Sequence, residues 1–179
     1  MVNGDDILAS IHETLASIPD PELPCSIVDL GLVEAVTMDD PGRVEITLLP
    51  TFTGCPALDM IADDVTRKVG ELDSIESCHV TWIFDPPWTT DRITERGRDS
   101  LKSHGVTVSR CGGAPSSRTV TLQTSAIPCP WCGSDRTRLE SPFGPTRCRS
   151  IHYCDACQNT FEDMKRLDGL GKTSTPDPG

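Results

Sequence analysis

The chain has 179 residues, 36% of them hydrophobic, 24% charged and 4% aromatic, which suits one medium globular domain or two small ones with a lean core. Its formal net charge of −11 is uneven: residues 1–110 hold 20 acids and 8 bases (net −12), residues 111–179 hold 7 acids and 8 bases (net +1). An acidic body argues against phosphate-backbone binding and against an anionic membrane surface, because both need clustered Lys and Arg. No stretch nears the roughly 18 apolar residues of a membrane span.

The first ten residues carry Asp5 and Asp6 where a secretory leader would carry Lys or Arg, so the expected location is the cytoplasm. In that compartment nine cysteines read as metal ligands or reactive thiols rather than as a disulfide framework. Along the chain, Ile7, Leu8, Ile11, Leu15 and Ile18 recur at helical spacing behind Asn3, Asp5 and Asp6, and Pro19 and Pro21 end that helix. Residues 32–38 and 43–49 flank Asp39-Asp40-Pro41-Gly42 and read as a β-hairpin. Residues 55–69 read as a helix with Leu58, Ile61, Ala62 and Val65 on one side and Gly70 as its stop. Residues 77–84 are expected to form a third strand and residues 90–104 an amphipathic helix stopped by Gly105. The order α-β-β-α-β-α predicts an α+β fold: a small two-layer domain, a mixed sheet with helices on one face, over residues 1–106.

Residues 107–128 are rich in Gly, Ser, Thr and Pro and read as a linker with a short strand at 118–123; residues 167–179 read as a disordered tail. Between them, in residues 129–166, Cys129-Pro130-Trp131-Cys132 is followed after 21 residues by Cys154-Asp155-Ala156-Cys157. Two such knuckles place four thiolates around one tetrahedral ion, as in a zinc ribbon. Zn2+ is the expected occupant; iron or an iron–sulfur cluster is the less favoured one, since four-thiolate sites also take iron. So short a segment has too little core to fold alone, and the metal would supply much of its folding energy. Cys148 is a candidate additional or exchanging ligand, otherwise a small buried hydrophobe, and His152 is a weaker candidate.

The second constellation is Thr51-Phe52-Thr53-Gly54-Cys55-Pro56, where a strand hands over to a helix. Pro56 suits the first helical position, which would put Cys55 at or beside the N-cap, where free amides and the helix dipole lower a thiol pKa. Gly54 permits close backbone approach, and Thr51 and Thr53 offer hydroxyls. The alternative is a tight turn with a small buried Cys. Two segments are expected around it, one supplying Asp20, Glu22 and Asp29, the other Trp88 in Asp85-Pro86-Pro87-Trp88-Thr89. Turn hydrogen bonding is the alternative for Asp20, Glu22 and Asp29, and sheet-end packing for Trp88. Cys25 and Cys78 lack a comparable setting. His79 and His104 have no motif context, and His12 falls on the exposed side of the first helix.

Asp20-Pro21-Glu22-x-Pro24, Asp29-Leu30-Gly31-Leu32, Thr53-Gly54-Cys55-Pro56 and Asp85-Pro86-Pro87-Trp88-Thr89 with Thr94-x-x-Gly97-Arg98 together resemble the SufT/MIP-type domain family associated with iron–sulfur maturation, over about residues 5–106. Adding Cys129-Pro130-Trp131-Cys132-Gly133-Ser134, Ser141-Pro142-Phe143-Gly144-Pro145-Thr146, Cys148 and Phe161-Glu162-Asp163-Met164-Lys165, the whole chain resembles the PaaD/PaaJ family, a component of the bacterial phenylacetyl-CoA epoxidase system. Arg149 departs from the Lys expected there. The resemblance implies an accessory, non-catalytic protein of phenylacetate catabolism. It would mature either the oxygenase's di-iron centre or the reductase's iron–sulfur centre, with transient iron or a cluster on Cys55. Implied partners are the oxygenase and reductase subunits, with no nucleic acid and no membrane, and a homodimer left open. Trp131, Phe143 and Tyr153 are candidate docking residues. Two competing readings are a structural adaptor of the epoxidase and a thiol enzyme using Cys55 as nucleophile. A nucleic-acid-binding ribbon is disfavoured by the charge balance.

Overall fold

The computed structural model describes residues 4–40, 42–108 and 127–165. The strand expected at 118–123 and the tail from 167 lie outside the described residues. Helix α1 (Gly4–Ala16) has Asp5 and Asp6 in its first turn, where the helix dipole favours negative charge, and buries Ile11 and Leu15. Ile18 lies just past its end and is also fully buried. Strands β1 (Val33–Asp40) and β2 (Arg43–Leu48) form the expected antiparallel hairpin. Gly42 turns it with φ +103, and its carbonyl accepts from the Glu76 and Ser77 amides; a Cβ there would stand 2.8 Å from the Glu76 side chain, so glycine is required.

Along β2, Val44, Ile46 and Leu48 are buried while Arg43 and Glu45 face solvent, the period of two that a one-sided sheet demands. Helix α2 (Leu58–Gly70) then crosses over to β3 (Ser77–Trp82), which pairs parallel with β2 from Arg43↔Ser77 to Leu48↔Trp82. The sheet order β1-β2-β3 is therefore mixed, as expected. Ile61, Val65 and Val69 of α2 join Ile11 and Leu15 of α1 in one core with Ile46 and Leu48.

Two expected helices begin late. α2 starts at Leu58 with Ala57 as N-cap, so Pro56 precedes the helix and Cys55 sits two residues ahead of the cap. Residues 90–104 are not one helix: a 3-10 turn (Thr90–Arg92) is followed by α3 (Glu95–Ser103), whose N-cap Thr94 accepts from the Gly97 amide at 3.1 Å. A side-chain cap three residues before an orphan amide restarts the helix there. Gly105, at φ +76, ends the segment as the sequence predicts.

The C-terminal strands are not a separate body. β4 (Val106–Thr107), which spans the expected boundary between the first domain and the linker, pairs parallel with β7 (Thr160–Met164), followed in the sheet by β6 (Arg149–Cys154) and β5 (Thr137–Ser141). Met164 is 0% exposed and belongs to the main core. The Glu162 amide donates to the Gly105 carbonyl at 2.8 Å, and the Trp131 ring fills the space where a Gly105 side chain would be. Beyond this junction the ribbon's own core holds three buried residues, Cys129, Cys154 and Phe161. Among the described residues no helix is long and apolar enough to cross a membrane.

Candidate metal and thiol sites

The four knuckle cysteines converge. The sulfurs of Cys129, Cys132, Cys154 and Cys157 all lie within 4.8 Å of one another, with Cys129–Cys157 and Cys132–Cys154 at 3.6 Å. Sulfurs placed about 2.3 Å from one ion at tetrahedral corners stand about 3.8 Å apart, so the donor set fits a tetrahedral thiolate site. Tight turns aim the thiols: the Cys129 amide donates to the Ser134 carbonyl at 3.0 Å and the Gly133 amide to the Cys129 carbonyl at 2.9 Å, while the Gln158 amide closes the second knuckle onto Cys154. Gly133 at φ +73 and Gln158 at φ 58 supply the left-handed residues of the two turns. Asn159 donates from its side chain to the Cys157 carbonyl at 3.1 Å, and Asn159 together with the neighbouring Cys132 and Cys129 lowers the Cys157 thiol pKa. His152 stands outside the cluster, buried against Phe161 with ring centroids 5.4 Å apart, and burial lowers its pKa.

Cys148 is also outside that cluster. It is 8% exposed, its sulfur lies 3.1 Å from the Thr146 hydroxyl, and it faces the other constellation. A cleft of about 190 Å3 is lined by Glu22, Phe52, Cys55 and Pro56 from the N-terminal part and by Pro145, Thr146, Arg147 and Cys148 from the ribbon. The Cys55 thiol donates to Glu22 Oε2 at 3.9 Å. Arg149 joins the two walls: it donates to Thr146 Oγ1 at 2.8 Å and to the Glu22 carbonyl at 3.4 Å, and pairs with Glu162 at 2.6 Å. A planar guanidinium with a fixed fork of donors can do this; a single ammonium could not reach all three.

The thiol at Cys55 is not activated as its sequence context predicts. Burial raises its pKa, the Ala57 amide lowers it, and the neighbouring Glu22, Cys148 and Asp20 raise it again, so the net shift is upward. Lying ahead of the cap, it meets one helix amide in a nest of acids. Cys78 is raised by burial, and Cys25 is pushed up to about 12 by burial with Asp20 and Asp29 nearby.

Thr51, Thr53, Asp29 and Trp88 do not line the cleft. Asp29 accepts from Thr94 Oγ1 at 2.8 Å, from Arg96 Nε at 2.9 and 3.0 Å, and from Ser26 Oγ at 3.0 Å. Burial opposes its charge, but these donors and Arg96 hold its carboxyl below the ordinary carboxylate range. The buried Trp88 indole donates to the Leu30 carbonyl at 2.9 Å, and Arg92 Nε to the Gly31 carbonyl at 2.9 Å. A Cβ on Gly97 would stand 2.7 Å from the Asp29 carbonyl oxygen. The Asp29-Leu30-Gly31 loop and the start of α3 are thus clasped together, a structural use of residues placed near the thiol on sequence. Asp20 accepts from the Glu22 and Leu23 amides at 2.8 and 2.9 Å, shaping the turn that presents Glu22; burial raises its pKa. Thr146 and Arg149 enter the sequence reading only through the family resemblance and Arg147 not at all; nothing in the sequence points to their place beside Cys55, because the loop that brings them there is about 90 residues away.

Residues 113–165 match the model of the PaaD zinc beta ribbon domain, and residues 8–82 match that of the iron–sulfur cluster assembly protein family. A protein of Escherichia coli (strain K12) named as a subunit of 1,2-phenylacetyl-CoA epoxidase is 34% identical over 160 residues, 87% of this chain and 92% of its own length. The chain belongs to the PaaD family. Its N-terminal part alone is 36% identical over 92 residues to the Fe-S protein maturation auxiliary factor YitW of Bacillus subtilis (strain 168), covering 51% of the PaaD-family chain and 90% of that protein. A crystal structure of a domain of unknown function from Bacillus anthracis superposes with a TM-score of 0.51 at 31% identity, covering 54% of the PaaD-family chain and 92% of that domain. The PaaD-family chain therefore joins an assembly-type α/β unit to a four-cysteine metal-binding ribbon.

Proposed function

We propose that this protein is a non-catalytic accessory factor of aerobic phenylacetate degradation, assisting assembly of the di-iron or iron–sulfur centre of a phenylacetyl-CoA 1,2-epoxidase. Cys55 is the thiol that carries iron or a cluster to the client, with Asp20 and Glu22 beside it. The oxygenase and reductase subunits are the partners, met in the cytoplasm. Residues 1–106 act as the assembly unit, 107–128 as linker, 129–166 as ribbon and 167–179 as tail. One observation carries the reading: a half-buried thiol beside a carboxylate, on an assembly-type unit joined to the ribbon of a PaaD-family chain.

The chemistry supports it. A thiol with a carboxylate neighbour suits iron, which takes both donor types, whereas four converging thiolates suit zinc in a closed structural site. The raised pKa of Cys55 leaves its proton in place at neutral pH, which disfavours the thiol-enzyme reading and is compatible with a metal that displaces the proton on binding. The adaptor reading is favoured by one feature, the exposure of Phe143 (69%) and Leu139 on the ribbon.

Anaerobic purification with metal analysis of the wild type and Cys55→Ala tests the proposal. One zinc per chain is expected in both, and labile iron in the wild type alone. Cells carrying the variant should hold normal amounts of epoxidase polypeptides with an iron-deficient client centre. Unchanged client iron and activity would refute the carrier role and favour the adaptor.

A further inference from the structure

Arg67, Arg92, Arg96, Arg138 and Arg149 each pair with a carboxylate, but among the described residues Arg147 and Lys165 form no ion pair. Arg147 lines the Cys55 cleft, and the Lys165 ammonium donates to the Arg147 carbonyl at 2.9 Å. Beside them stands Phe143, an exposed aromatic ring. We propose that this rim is the docking surface for the client protein, and that it takes an acidic segment carrying one large apolar residue. The inference rests on the reading of Cys55 as a carrier and adds to it the chemistry of the segment that the carrier meets.

The geometry joins charge to apolar surface. Lys165 Nζ lies 4.7 Å from the centre of the Phe143 ring, so the ring and the two cations form one patch. A Cβ on Gly54 would stand 3.8 Å from Arg147 Nη1 and 3.2 Å from the Phe52 ring, which sets the guanidinium over the backbone next to Cys55. Phe52, Pro56 and Pro145 give the cleft apolar walls. Its volume of about 190 Å3 holds about six waters at about 30 Å3 each, roughly the bulk of one large apolar side chain. A carboxylate entering the cleft itself would meet Glu22, so the acids of the segment belong on the rim and the apolar residue inside.

The patch is built on a braced loop. Ser141 Oγ donates to the Phe143 carbonyl at 2.8 Å and accepts from the Phe143 amide at 3.1 Å, and the Gly144 amide donates to the Arg149 carbonyl at 2.9 Å. Arg149 ties Thr146 to the backbone of Glu22. A preordered surface loses little freedom on binding. Charge selects the partner. An acidic segment is repelled by a body whose residues 1–110 carry a net −12 and is drawn to a rim where two cations stand uncompensated. Nucleic acid is disfavoured, because two cations neutralise few phosphates and the acidic body opposes the rest. A segment seated on this rim lies beside Cys55, so docking brings the client to the thiol.

The probe is a fluorescein-labelled peptide with a phenylalanine flanked by glutamates, titrated with the full-length zinc-loaded chain and followed by anisotropy. The wild type should bind it, and binding should weaken at least about threefold between about 50 and about 300 mM salt, as the Debye length falls. Arg147→Glu with Lys165→Glu should weaken it at least about tenfold, since like charges then face each other. Phe143→Ala, or serine for the phenylalanine of the peptide, should weaken it at least about threefold. Arg43→Glu with Lys68→Glu makes the same change of net charge at the start of β2 and the end of α2, and should stay within about twofold of the wild type. Unaltered zinc content and melting temperature guard against a folding defect, as does Arg147→Ala, which removes a side chain that forms no ion pair among the described residues. Equal affinity of the Arg147 and Lys165 double variant and the wild type would overturn the docking surface. So would no binding by the wild type, or tighter binding of single-stranded oligothymidine than of the peptide. In cells, the same double variant keeps Cys55 and should leave the client centre as iron-deficient as Cys55→Ala does. Normal client iron with the double variant but not with Cys55→Ala refutes the surface alone. Normal client iron with Cys55→Ala but not with the double variant refutes the carrier alone, and normal iron with both refutes both.

Discussion

Stripping the metal from the four-cysteine cluster should melt one end of the ribbon and spare the rest of the molecule. The cluster end has a core of three buried residues, of which Phe161 is the one large side chain. Its burial contributes roughly 2–3 kcal/mol, against roughly 10–16 kcal/mol of apparent binding energy for a structural zinc in a small domain. The metal therefore decides whether this end is ordered. The other end of the same sheet does not depend on it, because Met164 sits in the main core and β4 pairs with β7. Hydrogen exchange with and without a chelator should read the difference. The amides of Cys129, Gly133, Cys154 and Gln158, all donors within the knuckles, should lose protection by at least about a thousandfold, or about 4 kcal/mol at 1.4 kcal/mol per decade. Amides in α2 and β2 should change less than about threefold. Cys129→Ser with Cys154→Ser should reproduce the pattern without chelator. Full protection in the metal-free chain would refute the claim that metal orders this end. Collapse of α2 and β2 protection along with it would refute the claim that the main core is independent.

Met164→Ala should cost about 2–5 kcal/mol, the range for truncating a long buried side chain, and should speed proteolysis within the ribbon, which a surface anchor would not. Asp29→Asn should cost roughly 2 kcal/mol by weakening its bonds to Thr94, Ser26 and Arg96. Because the Asp29 pKa is lowered on folding, its contribution is present above the ordinary carboxylate value and is lost as pH falls through the folded one, so acid unfolding melts of the variant should show a smaller fall below about pH 4. Alkylation of the metal-free chain at pH 8 should be slow at Cys55 and slowest at Cys25, whose thiol is pushed up to about 12, and should accelerate as pH rises; rapid labelling of Cys55 at pH 7 would contradict its raised pKa. Phe143→Ala with Leu139→Ala should leave the melting temperature within about 1 °C, since exposed side chains contribute little to folding, and should weaken co-purification with epoxidase subunits if the ribbon docks them.

The sequence alone determined what short-range physics controls. Two C-x2-C knuckles define a four-thiolate site wherever the chain folds, since the ligand spacing is within each turn. Apolar periods of two and near four gave β2, α1 and α2, and Gly42 and Gly105 marked the turns that need positive φ. Helix starts were less legible. Pro56 reads as a first helical residue, yet α2 waits for Leu58, and Thr94, by capping Gly97, splits what periodicity joins into one helix. The tertiary structure decided the rest. The acids placed beside Cys55 were divided by it: Glu22 meets the sulfur, while Asp29 clasps the start of α3, a choice set by a bond 65 residues long in sequence. The same long-range packing turned Cys148 away from the metal cluster and toward Cys55, because Met164 and Arg149 dock the ribbon on the N-terminal unit. Burial among acids then raised the thiol pKa that position at a helix start alone would have lowered. Spacing specifies a site made within one turn; a site shared by two distant segments exists only once the core has brought them together.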